Sequence, residues 1–261
     1  MAQTVLCPGY IAKGEESVTA NDMTAMTGYE PIKFVSTAAH SGASKGTSDW
    51  PLFRTAEVYL NYAEAKAELG TLTKDDLLIS IDRIRDRAGM KGLDMAAANA
   101  NPDPFLLACY PNVTKSENTG VILEIRRERT IELVMEGLRM WDMFRWKEGA
   151  QLVNETNPYY GIYFSGPGLY DMDGDGRNDL ELYVDKQTSS PADGLTVLRI
   201  GSDIILSDMA ENRGYVVAWS TLKYTWNEER DYLWPIPADQ RVLTGGLLTQ
   251  NPGWTDSTDF D

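Results

Sequence analysis

The chain has 261 residues, 43% hydrophobic and 24% charged, the proportions of a globular protein with a substantial core. Asp and Glu number 39 against 24 Lys and Arg, so the net charge of −15 disfavours nucleic acid or an anionic bilayer as a partner. No run of apolar residues is long enough to span a membrane, and a single histidine, His40, excludes every metal site that needs two.

Residues 1–53 read as an irregular lead-in. Thr19-Ala20-Asn21-Asp22 and the Gly/Ser-rich stretch 41–48 are loop signals, and Pro31-Ile32-Lys33-Phe34-Val35 is a short extended run. The first residues lack the basic and apolar regions of a signal peptide, and Leu6 before Cys7 does not suit a lipoprotein cleavage site. His40 lies among small residues, where it reads as a loop residue rather than a catalytic one. Cys7 and Cys109 are too few for a four-cysteine zinc site, and they leave a disulfide open.

The helical region is 54–150. Residues 54–69 form a helix with a stripe of Ala56, Leu60, Ala63 and Ala67, stopped by Gly70. A second helix begins at Thr73, with Leu77, Ile81, Ile84 and Ala88 as its stripe, and ends at Gly89. The pair reads as a helical hairpin of the kind stacked in tetratricopeptide arrays. Residues 94–119 are rich in Asn, Pro and Asp and read as a loop with a turn near Phe105–Cys109. Residues 120–148 give one long helix with a stripe of Ile122, Ile125, Leu133, Met140, Trp141 and Phe144. Gly137 inside it predicts a close helix contact, a kink or a break.

Residues 151–222 read as a loop and β insertion, and 223–261 as a closing segment. The strand-like runs are 180–184, 196–200, 203–206 and 215–219, with turn signals at 165–168, 191–194 and 212–214.

Three constellations could carry function. The first is Asp171-Met172-Asp173-Gly174-Asp175-Gly176-Arg177-Asn178-Asp179. Calcium takes six to eight oxygens, which carboxylates at Asp171, Asp173, Asp175 and Asp179 and the Arg177 carbonyl would begin to supply. Gly176 makes the tight turn. Leu182 stands where an EF-hand has its glutamate, so this is a structural Ca2+ loop outside an EF-hand; the bland alternative is a solvated acidic turn. The second is the Glu/Arg pattern of 124–145, in which Asp142 and its neighbours read as an ion network between helices rather than as glycosidase carboxylates facing a cleft. The third is a set of loop aromatics, Tyr159, Tyr160, Tyr163, Tyr170, Trp219 and Trp226, with Tyr224 beside them. Their rings suit the C–H faces of sugars, and core packing is the alternative.

Several blocks resemble the SusD/RagB family. Arg54-Thr55-Ala56-Glu57-Val58 through Tyr62-Ala63-Glu64-Ala65 is similar to its "R-x-A-E-V-x-L-x-Y-A-E-A" helix, and Ile84-Arg85-Asp86-Arg87-Ala88-Gly89 to its "I-R-x-R-A-G". Glu128-Arg129 through Glu132-Leu133, Glu136-Gly137, Arg139, Asp142 and Arg145-Trp146 resembles its "E-R-x-x-E-L-x-x-E-G-x-R-x-x-D-x-x-R-W" helix. Leu233-Trp234-Pro235-Ile236-Pro237 and Leu248-Thr249-Gln250-Asn251-Pro252-Gly253-Trp254 resemble its closing blocks, although Thr244-Gly245-Gly246 departs from the family's usual Asn-Pro-Asn.

The resemblance implies a mainly α, SusD-like fold of tetratricopeptide-like hairpins with a long helix, plus loop-rich and short β-hairpin insertions. It implies a non-catalytic, lipid-anchored protein at the cell surface of the outer membrane. Such a protein binds an oligosaccharide and serves a SusC-like TonB-dependent transporter. A peptide ligand, or a scaffold that binds only its protein partner, is the alternative. It also implies that the chain corresponds to the carboxy-terminal half of such a protein, with the anchor on the other half, and a calcium site of the kind some members carry.

Overall fold

The computed structural model describes residues 4–19, 21, 23, 25–40, 44–47, 49, 51–153, 159–190, 194–219, 221–222 and 224–255. The loop signals at residues 20, 22, 41–43, 48 and 191–193 lie outside the described residues, as does the end of the closing segment from 256. The chain divides into two compact units, Phe53–Glu155 with Tyr224–Asp261, and Met1–Leu52 with Thr156–Lys223.

The first unit is helical. Helix α1 (Thr55–Glu68) buries Leu60, Ala63 and Ala67, and Gly70 follows it at φ +68°. Helix α2 (Lys74–Ile79) starts with a reciprocal cap. The Asp76 N–H donates to Thr73 Oγ1 at 3.2 Å while the Thr73 N–H donates to Asp76 Oδ2 at 2.8 Å, satisfying two otherwise orphaned donors. The expected second helix does not run through. Ser80, at φ −125° and ψ −99°, separates α2 from α3 (Ile81–Arg87). Leu77, Ile81 and Ile84 still share one core, whereas Ala88 is exposed.

The Asn/Pro-rich stretch holds two short helices rather than a loop. They are α4 (Met95–Ala100), capped by Asp94, and α5 (Pro104–Cys109), capped by Asp103 with Pro104 in its first turn. The long helix is also two helices, α6 (Thr119–Glu132) and α7 (Arg139–Arg145). Met135 and Gly137 between them have φ +64° and +77°, which a right-handed helix cannot hold. Open space surrounds the place of a Gly137 side chain, so the glycine serves the turn and not a close contact. The break also resets the helical phase, which leaves Met140 and Trp141 exposed while Ile122, Ile125 and Leu133 are buried. The close approach is at Gly120 instead, where a side chain would strike the Ala98 carbonyl on α4. Helix α8 (Ala238–Leu243) closes the unit.

The second unit carries two three-stranded sheets. Strand β1 (Tyr160–Phe164) pairs antiparallel with β6 (Arg213–Val217), and β6 pairs antiparallel with β5 (Leu206–Asp208). Strand β2 (Gly168–Tyr170) pairs antiparallel with β3 (Leu180–Tyr183), which pairs in parallel with β4 (Thr196–Arg199). The insertion is therefore not built of hairpins alone, since a parallel pair needs a crossover. Glu181, almost fully buried, holds that crossover. Its carboxylate accepts the Thr188 N–H at 2.7 Å, the Thr188 hydroxyl at 2.8 Å and the Ser189 N–H at 2.6 Å. The core is Phe164, Leu180, Leu182, Ile204, Leu206 and Val216 with Ile200. The expected strand at 31–35 reduces to a bridge between Val5 and Pro31. The Thr27 carbonyl accepts the Ile162 N–H at 2.9 Å, so the lead-in lies against β1.

Candidate functional site

The loop between β2 and β3 wraps its backbone around its own carboxylates. Asp171 accepts the Gly174 and Gly176 N–H groups at 2.6 and 2.9 Å. Asp179 accepts the Met172 N–H at 2.7 Å, and Asp173 accepts that of Asp175 at 2.9 Å. Gly174 and Gly176, at φ +81° and +89°, make the turns that permit this. Carboxylate oxygens of Asp171, Asp173 and Asp179 consequently lie within 4.8 Å of one another. Asp175 is outside that cluster; its Oδ1 accepts the Arg177 N–H at 2.7 Å. Asp173 is the buried member. Burial pushes its carboxyl above the ordinary range, reinforced by the charges of Asp179, Asp175 and Asp171. Three carboxylate oxygens converging this closely match the hard donors that calcium takes.

The expected loop aromatics at 159–164 stand largely on a strand. Tyr160 pairs with Val217 and Tyr163 with Tyr215, three residues against two, so a bulge lies between them. That extra residue puts Tyr160 and Tyr163 on one side of β1 despite their odd spacing. The Tyr160 and Tyr215 rings stack at 5.4 Å and 15°, and Tyr163 meets Tyr215 edge-on at 5.2 Å and 71°. Exposures of 38%, 55% and 46% for Tyr160, Tyr163 and Tyr215 leave an open face of three rings. Tyr159, next along the chain, is also exposed.

Tyr215 opens the run 215–219, which reads from sequence only as strand-like. Its signal is the alternation Gly214-Tyr215-Val216, which turns the tyrosine outward between two buried neighbours. Tyr170 turns inward instead. Its hydroxyl donates to the Gly166 carbonyl at 2.5 Å, and its ring packs edge-on against Phe164 at 4.9 Å. Trp219 is exposed just beyond β6. Trp226 belongs to the helical unit, where it packs 5.5 Å from Phe144 and 5.0 Å from Tyr232, over Gly149.

In the helical unit the charges of the Glu/Arg pattern neutralise one another across helices. Asp142 accepts Arg129 Nε at 2.6 Å and Arg145 Nε at 3.0 Å. Glu64 accepts Arg145 Nη2 and Trp146 Nε1, both at 2.6 Å. Burial alone would raise the Glu64 carboxyl, but these donors outweigh it and hold it below the usual range. Arg54 holds Glu132 at 2.9 Å and Glu136 at 2.6 Å, while Glu124 and Arg127 make the expected pair three apart at 3.3 Å. His40 Nδ1 lies 2.8 Å from the Thr37 hydroxyl on the surface, and both cysteines are free thiols.

The SusD family model matches residues 8–254. A SusD-like protein from Bacteroides fragilis superimposes with a TM-score of 0.53 at 21% identity, covering 96% of this chain and 38% of its own. A SusD-like carbohydrate binding protein from the same organism gives 0.50 at 21% identity, covering 92% and 39%. The chain thus spans about two fifths of the length of these solved relatives. No curated protein matches it.

Proposed function

The chain belongs to the SusD family, and on that premise we propose that it is a non-catalytic glycan-binding polypeptide whose sugar-contacting surface is the outer face of β1 and β6. The observation that carries this reading is the open cluster of Tyr160, Tyr163 and Tyr215. Rings held against one another are preorganised, so stacking a sugar on them costs little side-chain entropy. One of the solved relatives is described as carbohydrate binding, which supports an oligosaccharide ligand.

The remaining parts serve that surface. Calcium held by Asp171, Asp173 and Asp179 staples the loop between β2 and β3. Helix α1 with the α2–α3 pair acts as a tetratricopeptide-like hairpin. The protein works at the outer-membrane cell surface, handing its glycan to a SusC-like TonB-dependent transporter. Carboxylates such as Asp142 and Glu64, already bound by guanidinium groups, are poor candidates for acid–base work.

The test is affinity electrophoresis of the chain through gels containing individual plant, host and microbial polysaccharides, with and without chelator. Retardation by at least one polysaccharide, lost in Tyr163→Ala, is the expected result. Retention that survives Tyr163→Ala and Tyr215→Ala together sinks the assignment of the surface.

A further inference from the structure

The bulge in β1 is held from beyond the sheet. Between Tyr160 and Tyr163 the strand carries one residue more than β6 can partner, because Tyr160 pairs with Val217 and Tyr163 with Tyr215. A bulge disrupts the ladder locally, and a buried backbone N–H left without a partner is costly. Here the N–H of the half-buried Ile162 donates to the Thr27 carbonyl of the lead-in at 2.9 Å. The partner for the bulge comes from a segment more than 130 residues earlier in the chain.

Two glycines make this contact possible. Gly161 is buried, and a side chain there would come within 2.2 Å of the Thr27 carbonyl oxygen. Its φ lies outside the left-handed region, so its missing side chain serves a close approach and not a turn. Gly28 opposes it from the lead-in, where a side chain would reach within 2.6 Å of Ile162 Cδ1. The turn that presents Thr27 and Gly28 is itself anchored. The Gly28 N–H donates to the Ala25 carbonyl at 2.7 Å. Asn21, only 5% exposed, donates from Nδ2 to the Gly28 carbonyl at 2.7 Å and accepts the Met23 N–H at 3.1 Å.

We infer that Thr27, Gly28 and Gly161 are positioning residues for the tyrosine face: the docked lead-in fixes the bulge, and the bulge decides which tyrosines share that face. In a strand without the extra residue, alternation sends Tyr160 and Tyr163 to opposite sides, and the cluster with Tyr215 loses a ring. The lead-in is then part of the binding unit although none of its residues supplies a ring to the cluster. The consequence for sugar rests on the reading of this face as the sugar-contacting surface; the consequence for the rings does not.

The test uses the full chain labelled with fluorotyrosine, with the Tyr160 and Tyr170 resonances assigned from Tyr160→Phe and Tyr170→Phe. Gly161→Ala drives a methyl into the Thr27 carbonyl. Asn21→Asp is the milder variant, since it keeps the acceptor for the Met23 N–H and loses the donor to the Gly28 carbonyl. Both are expected to move the Tyr160 resonance, through loss of the stack on Tyr215, and to speed exchange of the Ile162 amide. Tyr170, packed inward on Phe164, is expected to stay where it is. Polysaccharide retention should fall roughly tenfold in Gly161→Ala and less in Asn21→Asp. An unmoved Tyr160 resonance in both variants overturns the inference, as does an Ile162 amide that already exchanges freely in the wild type. Tyr160 and Tyr170 moving together in both variants also overturns it, because the lead-in then holds the whole unit and not this face. A displaced Tyr160 with retention unchanged upholds the positioning of the rings and removes the sugar reading, so the two fail separately.

Discussion

The ring centroids of Tyr160 and Tyr215 lie 5.4 Å apart with their planes 15° from parallel, although 54 residues of chain separate them. The stack exists because β1 and β6 are adjacent in one sheet and a bulge turns both Tyr160 and Tyr163 toward the same side. A platform assembled this way loses its shape when any one ring is removed.

Tyr215→Ala is therefore expected to weaken polysaccharide retention by about tenfold, close to 1.4 kcal/mol. Tyr215→Phe keeps the ring and should stay within about threefold of wild type, on the same scale. Trp226→Phe, in the helical unit, should leave retention unchanged. Dissociation constants from gels of graded polysaccharide content check all three.

The loop at 171–179 predicts a selective response to cations. Calcium at about one hundred times its dissociation constant should stabilise the protein by about 2.7 kcal/mol, read as a rise in melting temperature that magnesium does not reproduce. Asp173→Asn should abolish the rise, since Asp173 belongs to the carboxylate cluster. Asp175→Asn should retain it, since Asp175 does not. Equal loss in both variants, or no calcium effect in the wild type, contradicts the assignment.

Glu181 predicts a pH dependence of stability. Hydrogen bonds from the Thr188 backbone, then from the Thr188 hydroxyl and Ser189, outweigh burial and hold its carboxyl at about 2 in the folded protein. The folded value is depressed, so its contribution is fully present above the unfolded value of about 4.3. It is lost as pH falls from there through about 2. The stability gap between wild type and Glu181→Gln should thus be constant from pH 7 to pH 5 and narrow below pH 4. A gap that widens on acidification contradicts this.

Two glycines separate close packing from turn geometry. Gly120→Ala places a methyl against the Ala98 carbonyl, a backbone clash that no rotamer relieves, and should cost about 3 kcal/mol. Gly137→Ala meets open space and pays only for its left-handed backbone, about 1 kcal/mol. Urea unfolding of the two variants gives the order directly.

Much of the helical unit was legible because its signals are local. The stripe Leu60, Ala63 and Ala67 and the stops at Gly70 and Gly89 can be read from consecutive residues. The splits at Ser80 and at Met135–Gly137 were less legible, because apolar spacing continues across a break that only the backbone angles reveal. The six-residue helices α4 and α5 carry too few turns for a periodic signal, although their caps at Asp94 and Asp103 were in plain view. The acidic loop was legible as a motif, but not that Asp175 would stand apart from it. The tyrosine face was half legible. Tyr160 and Tyr163 stand out by density of aromatics, while Tyr215 joins them only through a pairing between distant strands.

The central claim is that this face holds sugar. It is tested most directly by affinity electrophoresis of wild type against the triple variant Tyr160→Ala/Tyr163→Ala/Tyr215→Ala, run in calcium on a polysaccharide that retards the wild type. The account predicts that the triple variant migrates as it does in a gel without polysaccharide, with its circular dichroism unchanged. A folded triple variant that is still retarded as strongly as wild type would contradict it.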